Sequence, residues 1–376
     1  MRPHVNQRQA QVREILRVRG SVRVAELAQE LGVSPVTLRR DIEAMAARGE
    51  IQRMHGVISK VAAGHAAPAA PAARAAAPAG GGGEGLVIGM VVPTTEYYYA
   101  DVVRGAREVV EARGARLTVG LTRYLPGEDR TQADRLLSTG ADGLLLTPTW
   151  DAGSPGPGEG AWTAELPVPT VLVERWAPPG HPAAALDRVA SDHAHGAARA
   201  VQHLAELGHR RIALASRETP TSARLRAGFG AAVTALGLEP APAWPGADAA
   251  AGQGPRGEAE LFARTLDYLC AAVEESGVTA ALIHSDTDAI MLIPRLQARG
   301  VRVPEDLVVI TYDDEVAGLA DVPLTAVAPA KREVGARAAA LLLDRLAPDA
   351  PQDVPRQHLE LLPHLTVRTN RSLRTS

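Results

Sequence analysis

The sequence predicts an α/β protein, a parallel-sheet body built of strand–helix repeats behind a small, mainly α head. Three observations carry this. From Leu86 to Leu346, short apolar runs alternate with amphipathic stretches of helical period, the pattern of parallel sheets covered on both faces. Residues 1–60 show helical periods and cap signals followed by one hairpin pattern. Between the two, 21 of the 25 residues from 61 to 85 are Ala, Gly or Pro, and no apolar side chain there exceeds Val61. Such a stretch cannot anchor a core and reads as a flexible linker. The expected domains are therefore a head at 1–60, a linker at 61–85 and a body at 86–376.

The head opens with a helix from Arg8 to Arg19, carrying Val12, Ile15, Leu16 and Val18, and a second from Ser21 to Leu31. After Gly32, Ser34 is placed to cap a third helix and Pro35 falls at its first position, where the missing N–H costs nothing. Leu38, Ile42 and Met45 then form the buried face. Val36 and Arg40 point away from that face, with Thr37 and Arg39 on its flanks. A short helix buried on one side and showing Arg and Thr on the other suits the major groove, where Arg grips guanine or phosphate. Gly49 to Ile58 reads as a hairpin, a wing beside the helix-turn-helix. Charge agrees: residues 1–60 hold 11 Lys and Arg against 6 Asp and Glu, whereas the rest of the chain is net acidic, giving −3 in all.

In the body, Leu86–Val92 is a strand, Tyr97–Arg113 a helix, Arg116–Leu121 a strand, Asp129–Ser138 a helix and Asp142–Thr147 a strand. Pro169–Glu174 and Val189–Ser191 are extended, His193–Leu207 is helical and Arg211–Ala215 is a strand. Helices at Thr221–Leu236 and Gly257–Glu275 precede a strand at Ala280–His284 and a helix at Thr287–Arg299. Leu307–Thr311 is a strand and Lys331–Leu346 a helix, while the Gly- and Pro-rich stretches at 151–160 and 239–256 are surface loops. The single Cys270 excludes an internal disulfide and sits on an amphipathic helix as a core residue. No apolar run approaches the length of a membrane span, and no leader-like segment precedes the first helix, so a cytoplasmic protein that does not engage membranes is expected.

Two resemblances follow from quoted motifs. Val33-Ser34-Pro35-x-Thr37-Leu38-Arg39-Arg40-Asp41-Ile42, then Gly49-x-Ile51-x-Arg53-x-His55-Gly56, resembles the winged helix-turn-helix of DeoR-family bacterial regulators, with Val57 where that family usually has a second Gly. This implies DNA contacts from Ser34, Val36, Thr37, Arg39, Arg40, Arg53 and His55. The body is similar to the effector-binding part of LacI/GalR-type regulators, itself related to periplasmic sugar-binding proteins. The matching stretches are Gly89–Pro93 leading to Tyr98 and Tyr99; Ser191-Asp192-His193 leading to Leu207–Ala213; Ser285-Asp286 leading to Gly300–Leu307; and Tyr312-Asp313-Asp314 before Pro323–Val327. The resemblance implies two α/β lobes, a ligand cleft between them and dimerisation through the lobes. The short minor-groove hinge helix usual in such regulators is replaced here by the Ala/Gly/Pro linker, so the chain reads as a hybrid.

A sugar ligand requires carboxylates, Arg or Asn, and an aromatic surface. By motif position the resemblance implies effector contacts from Tyr98, Tyr99, Glu174, Ser285 and Asp313, and from Arg224 or Arg226, between which a one-residue shift before Gly228 leaves the choice open. Asp192/His193/His195, His284/Asp286/Asp288 and Asp313/Asp314/Glu315 have metal-ligand chemistry, but each lies inside a sensor motif that requires no metal. No GxSxG, HExxH or GxxxxGK pattern is present, so no catalytic residue, cofactor or metal is expected. The functional expectation is a cytoplasmic repressor that binds operator DNA as a homodimer and senses a small carbohydrate. The alternative is an activator, or a sensor of a nucleoside or another small polar metabolite.

Overall fold

The computed structural model describes residues 85–368 apart from 151–152, 157, 245–254 and 349–352; in the N-terminal part it describes Val12, Ile15, 21–23, 51–54 and 57–60. The chain divides into two compact units, Met1–Gly81 and Gly82–Ser376. In the first, β1 (Ser21–Arg23), β2 (Ile51–Met54) and β3 (Val57–Lys60) form an antiparallel sheet in the order β1-β3-β2. The β2–β3 hairpin falls where the wing was expected, with Met54 opposite Val57. Ser21–Arg23 corrects the expected helix start: this segment is a strand whose Val22 pairs with Ile58. Apolar spacing alone could not distinguish a third strand from the first turn of a helix. The linker at 61–84 lies outside the described residues.

The second unit contains two sheets. Lobe 1 is built from β4 (Val87–Val92), β5 (Arg116–Leu121), β6 (Gly143–Leu146), β7 (Thr170–Val173), β8 (Asp187–Ser191) and β13 (His358–Leu361). These are all parallel, in the order β13-β8-β7-β6-β4-β5. Lobe 2 has β9 (Ile212–Ser216), β10 (Ala280–His284), β11 (Val308–Tyr312), β12 (Thr325–Ala328) and β14 (His364–Thr366), in the order β14-β12-β11-β10-β9 with only β14 antiparallel.

Among the described residues, lobe 1 carries helices α1 (Tyr98–Ala112) and α2 (Glu128–Ser138), and lobe 2 carries α3 (His193–Glu206), α4 (Ser222–Ala235), α5 (Pro255–Ser276) and α6 (Asp286–Ala298). Helix α7 (Lys331–Leu346) returns to lobe 1 and packs on α1. The chain therefore passes between the sheets three times: from β8 into α3, from β12 into α7 and from β13 into β14.

Strand alternation determines which face each side chain covers. Ile88, Met90 and Val92 pack with Val102 and Val110 of α1 and Val334 and Leu342 of α7. Val91, Leu144 and Leu146 face Leu136 of α2 and Trp150. In lobe 2, Ile212, Leu282 and Ile310 meet Val201 and Leu204 of α3 and Leu225 of α4. Ala281, Ile283 and Val309 meet Leu269 of α5, with Cys270 beside it, and Leu292 and Leu296 of α6.

Two glycines bring α7 onto α1. A Cβ at Gly335 would lie 1.9 Å from the Val102 carbonyl oxygen, and one at Gly105 would lie 1.9 Å from that of Arg332. At the lobe 1 edge, buried Asp187 accepts from Arg345 (2.8 and 2.9 Å), Arg356 (3.1 Å) and the Gln357 N–H (2.7 Å), joining α7 and β13 to β8. Gly335→Ala should therefore destabilise the protein by about 1–3 kcal/mol, since backbone must shift to admit the methyl. Gly230→Ala should stabilise it by about 0.5–1 kcal/mol, because Gly230 lies inside α4 with nothing within 4 Å of an added Cβ. Urea melts of the two variants test this; shifts of equal sign would contradict the packing account.

Candidate ligand cleft

The C-terminal ends of the parallel strands in both sheets converge on one cleft, the place where open α/β sheets bind ligands. After β4 come Tyr97, Tyr98 and Tyr99; after β7, Glu174 and Arg175; and after β8, His193. From lobe 2, β9 leads into Arg217, β10 into His284 and Ser285, and β11 into Asp313. With Tyr124 and Thr219–Thr221 these residues line a cavity of about 240 Å³.

Glu174 is buried and its carboxylate is already bonded. It accepts from the Tyr98 hydroxyl at 2.7 Å, the Ser191 hydroxyl at 2.8 Å and the Ser191 N–H at 3.1 Å, and His193 Nε2 lies 3.4 Å away. Burial alone would raise its pKa, but the donors, His193 first, outweigh it and hold the group below the ordinary carboxylate range. The His193 Nδ1 side lies 3.1 Å from the Tyr312 hydroxyl of β11, so the imidazole links Glu174 of lobe 1 to lobe 2.

Asp313 is the other buried acid. Burial pushes its carboxyl up to about 6 even though Lys331 and His193 act to lower it. Its Oδ2 lies 3.6 Å from His284 Nε2 and accepts from the Tyr97 hydroxyl at 3.4 Å. Burial pushes His284 down to about 4, leaving it neutral at pH 7. Tyr97 reaches across from lobe 1 and also donates to Asp286 Oδ1. The other oxygen of Asp286 accepts the N–H groups of Glu315, Val316 and Ala317 at 2.7, 2.7 and 3.1 Å. Asp192 Oδ1 caps α3 through the His195 N–H at 2.9 Å.

Of the residues named from sequence, Tyr98, Tyr99, Glu174, Ser285 and Asp313 line the cavity, and Arg224 and Arg226 do not. Arg224 lies 4.0 Å over the Trp176 ring and 3.8 Å from Glu360, so a lobe 2 helix stacks on a lobe 1 residue at the cleft rim. Arg226 pairs with Glu218. Residues 224 and 226 flank buried Leu225, and the helical period turns them in different directions. The arginines on the cavity wall are Arg175 and Arg217. Arg175 is buried beside Glu174 and donates to the Tyr99 hydroxyl at 3.1 Å and to the Glu174 carbonyl at 2.7 Å. Tyr97, Arg175, His193 and Arg217 are cavity residues that motif position did not supply. The Tyr97–Tyr99 run, the Glu174–Arg175 pair and the Ser191-Asp192-His193 motif held three of them in view. Ser34, Val36, Thr37, Arg39, Arg40 and His55 lie outside the described residues, and Arg53 lies in β2 opposite Ile58.

Two lobes with three crossings, closing strand ends around a polar cavity, define a ligand-binding body of the periplasmic-binding-protein type. Comparison with known proteins agrees. The DeoR-like helix-turn-helix domain matches residues 8–61, the periplasmic binding proteins and sugar binding domain of the LacI family matches 85–244, and the periplasmic binding protein-like domain matches 201–369. The HTH-type transcriptional repressor PurR of Haemophilus influenzae is 28% identical over 289 residues, covering 75% of this chain and 80% of the relative. The arabinose metabolism transcriptional repressor of Geobacillus stearothermophilus is 26% identical, covering 67% and 68%. A LacI family transcriptional regulator from Mycobacterium smegmatis superposes with a TM-score of 0.58 at 25% identity, covering 75% of this chain and 97% of the other. The chain is a LacI-type transcription regulator carrying a DeoR-like DNA-binding head. Its relatives are transcription regulators rather than enzymes, and no helix among the described residues is long and apolar enough to cross a membrane.

The raised carboxyl of Asp313 gives a signed pH dependence. Below the unfolded value of about 4, Asp313 contributes its full share of stability, and that share is lost as pH rises through about 6. Asp313→Asn removes the titration. Its melting temperature relative to the parent protein should therefore rise between pH 4 and pH 7. A difference that is flat or falls over this window would show that Asp313 is not held protonated by burial.

Proposed function

We propose that this regulator is a repressor, acting in the cytoplasm as a homodimer, whose hold on operator DNA is released when a small carbohydrate binds between the lobes. The carrying observation is the mixture in one cavity of a buried acceptor from lobe 2, Asp313, with phenol groups and ring faces from lobe 1, Tyr97 and Tyr98. Sugar hydroxyls both donate and accept, and the C–H face of a sugar ring packs on aromatic surface. The name of the Geobacillus relative, an arabinose metabolism repressor, supports the same ligand class. In this reading the head at 1–60 binds DNA through Thr37, Arg39 and Arg40, the stretch 61–85 is a tether, and the body at 86–376 senses ligand.

The test uses the full chain. A sugar that binds should add about 2.7 kcal/mol of stability at 100 times its dissociation constant and should release an operator fragment. Asp313→Ala should lose both responses while still binding DNA. If no pentose, hexose or disaccharide shifts the melting temperature, the carbohydrate reading fails. For the head, Arg40→Ala should weaken operator binding, by roughly 1–3 kcal/mol if it reads a base edge. Unchanged operator affinity at fixed salt would remove Arg40 from the interface.

A further inference from the structure

A second cavity, of about 300 Å³, lies in lobe 2 between the ends of β9 and β10 and helices α5 and α6. It shares Arg217 and His284 with the cleft cavity, so the two adjoin at those side chains. Their linings differ in chemistry. The cleft presents phenols and carboxylates, whereas the second cavity, with Glu258, Asp288 and Arg295 among its lining, adds the apolar wall of Leu261, Phe262, Met291 and Leu292. At the junction Arg217 Nε stands 2.9 Å from Asp288 Oδ2. Arg217 is 43% exposed on its side chain and so is free to swing, while the Asp288 side chain is only 11% exposed. Size points the same way. Small-molecule sites span about 300–1,000 Å³; the cleft cavity falls below that range, and the two together, about 540 Å³, fall within it.

We propose that the two cavities form one bipartite site and that the effector is a glycoside, with its hydroxylated ring in the cleft and an apolar ring substituent in the second cavity. The proposal rests on the carbohydrate reading of the cleft. The substituent enters beside the Arg217–Asp288 pair, whose guanidinium turns outward to admit it. It then rests against Phe262 and Met291. Arg295 donates to the Met291 carbonyl at 2.8 Å and lies 5.1 Å over the Phe262 ring, holding that wall in place.

The experiment is calorimetry on the full chain with matched pairs, the methyl and the 4-nitrophenyl glycosides of glucose, galactose, xylose and arabinose in both anomers, together with adenosine and uridine. For the sugar the cleft accepts, the nitrophenyl member should bind roughly tenfold more tightly than the methyl member, the scale expected for burying one ring face. Met291→Trp fills the second cavity from its more exposed wall and should reduce that preference to within about threefold while leaving methyl glycoside affinity unchanged. Phe262→Ala, which removes the opposite wall, should also reduce the preference and keeps the test open if the Trp variant folds poorly. Equal affinity of the two members in the parent protein, or a preference that survives in both variants, overturns the bipartite site while leaving the carbohydrate reading intact. Binding of a nucleoside with no glycoside bound places a base in the second cavity and overturns the glycoside. If no compound of the panel binds, the glycoside and the bipartite site are rejected, and the free sugars of the preceding test decide the carbohydrate reading separately.

Discussion

The two lobes meet through His193. Its imidazole lies at the first crossing, 3.4 Å from Glu174 of lobe 1 on one side and 3.1 Å from the Tyr312 hydroxyl of lobe 2 on the other. Around it, Glu174 fixes Tyr98 and Ser191, so a single buried carboxylate orders the aromatic wall, the end of β8 and the start of α3. Tyr312 reaches His193 because Gly196 leaves room; a Cβ at that position would lie 2.4 Å from the tyrosine hydroxyl. Removing one member of such a buried network strands the others without partners, which costs more than the net worth of any single bond. The cleft geometry therefore depends on this network, whose members Tyr98, Glu174 and His193 also line the cavity.

Backbone strain gathers around the same cleft. Tyr97, Glu174, Asp313 and Asp314 all have positive φ, at 51, 54, 88 and 55°, and none is a glycine. Each follows the C-terminal end of a strand, and Glu174 and Asp313 are buried. Asp313 is gripped by Lys331, which donates to its carbonyl oxygen, and Asp314 lies 2.7 Å from Arg368. Left-handed backbone at bulky or acidic residues costs free energy and persists where the surroundings over-determine it, typically at functional sites. At Tyr97, Glu174 and Asp313 the side chains stand on the cavity wall, whereas that of Asp314 turns to Arg368. Tyr97 and not Tyr98 spans the lobes.

Much of the body was legible because parallel strands buried on both faces read as unbroken apolar runs, and the helices between them carry clear periods. The strands that escaped notice were those lacking this signature. β13, His-Leu-Glu-Leu, is a half-exposed edge strand, β14 has three residues, and β12 follows Pro323 and Leu324 with only four. They form because β8, β11 and then β12 offer unsatisfied edges, information that lies in the fold rather than in the segment. At the site, Asp313 and Glu174 were named by motif position in the family the body resembles, each just after a strand whose apolar run is visible in sequence. The choice between Arg224 and Arg226 could not reveal Arg217, which lies outside the helix on which both were sought. Likewise, no pattern marks the left-handed turn at Tyr97.

These features limit how a ligand can act. Tyr97 already joins lobe 1 to Asp286 and Asp313, and Arg224 already stacks on Trp176 at the rim. The lobes are thus bridged by the protein's own groups. A ligand shifts an equilibrium only by the difference between its interactions in the two states. One that merely replaces the Tyr97 hydroxyl at Asp313 exchanges one hydrogen bond for another and gains little. The larger differential requires contacts the protein's own groups do not already make across the lobes, and the apolar side chains beyond Arg217 and His284, Leu261, Phe262, Met291 and Leu292, are the candidates.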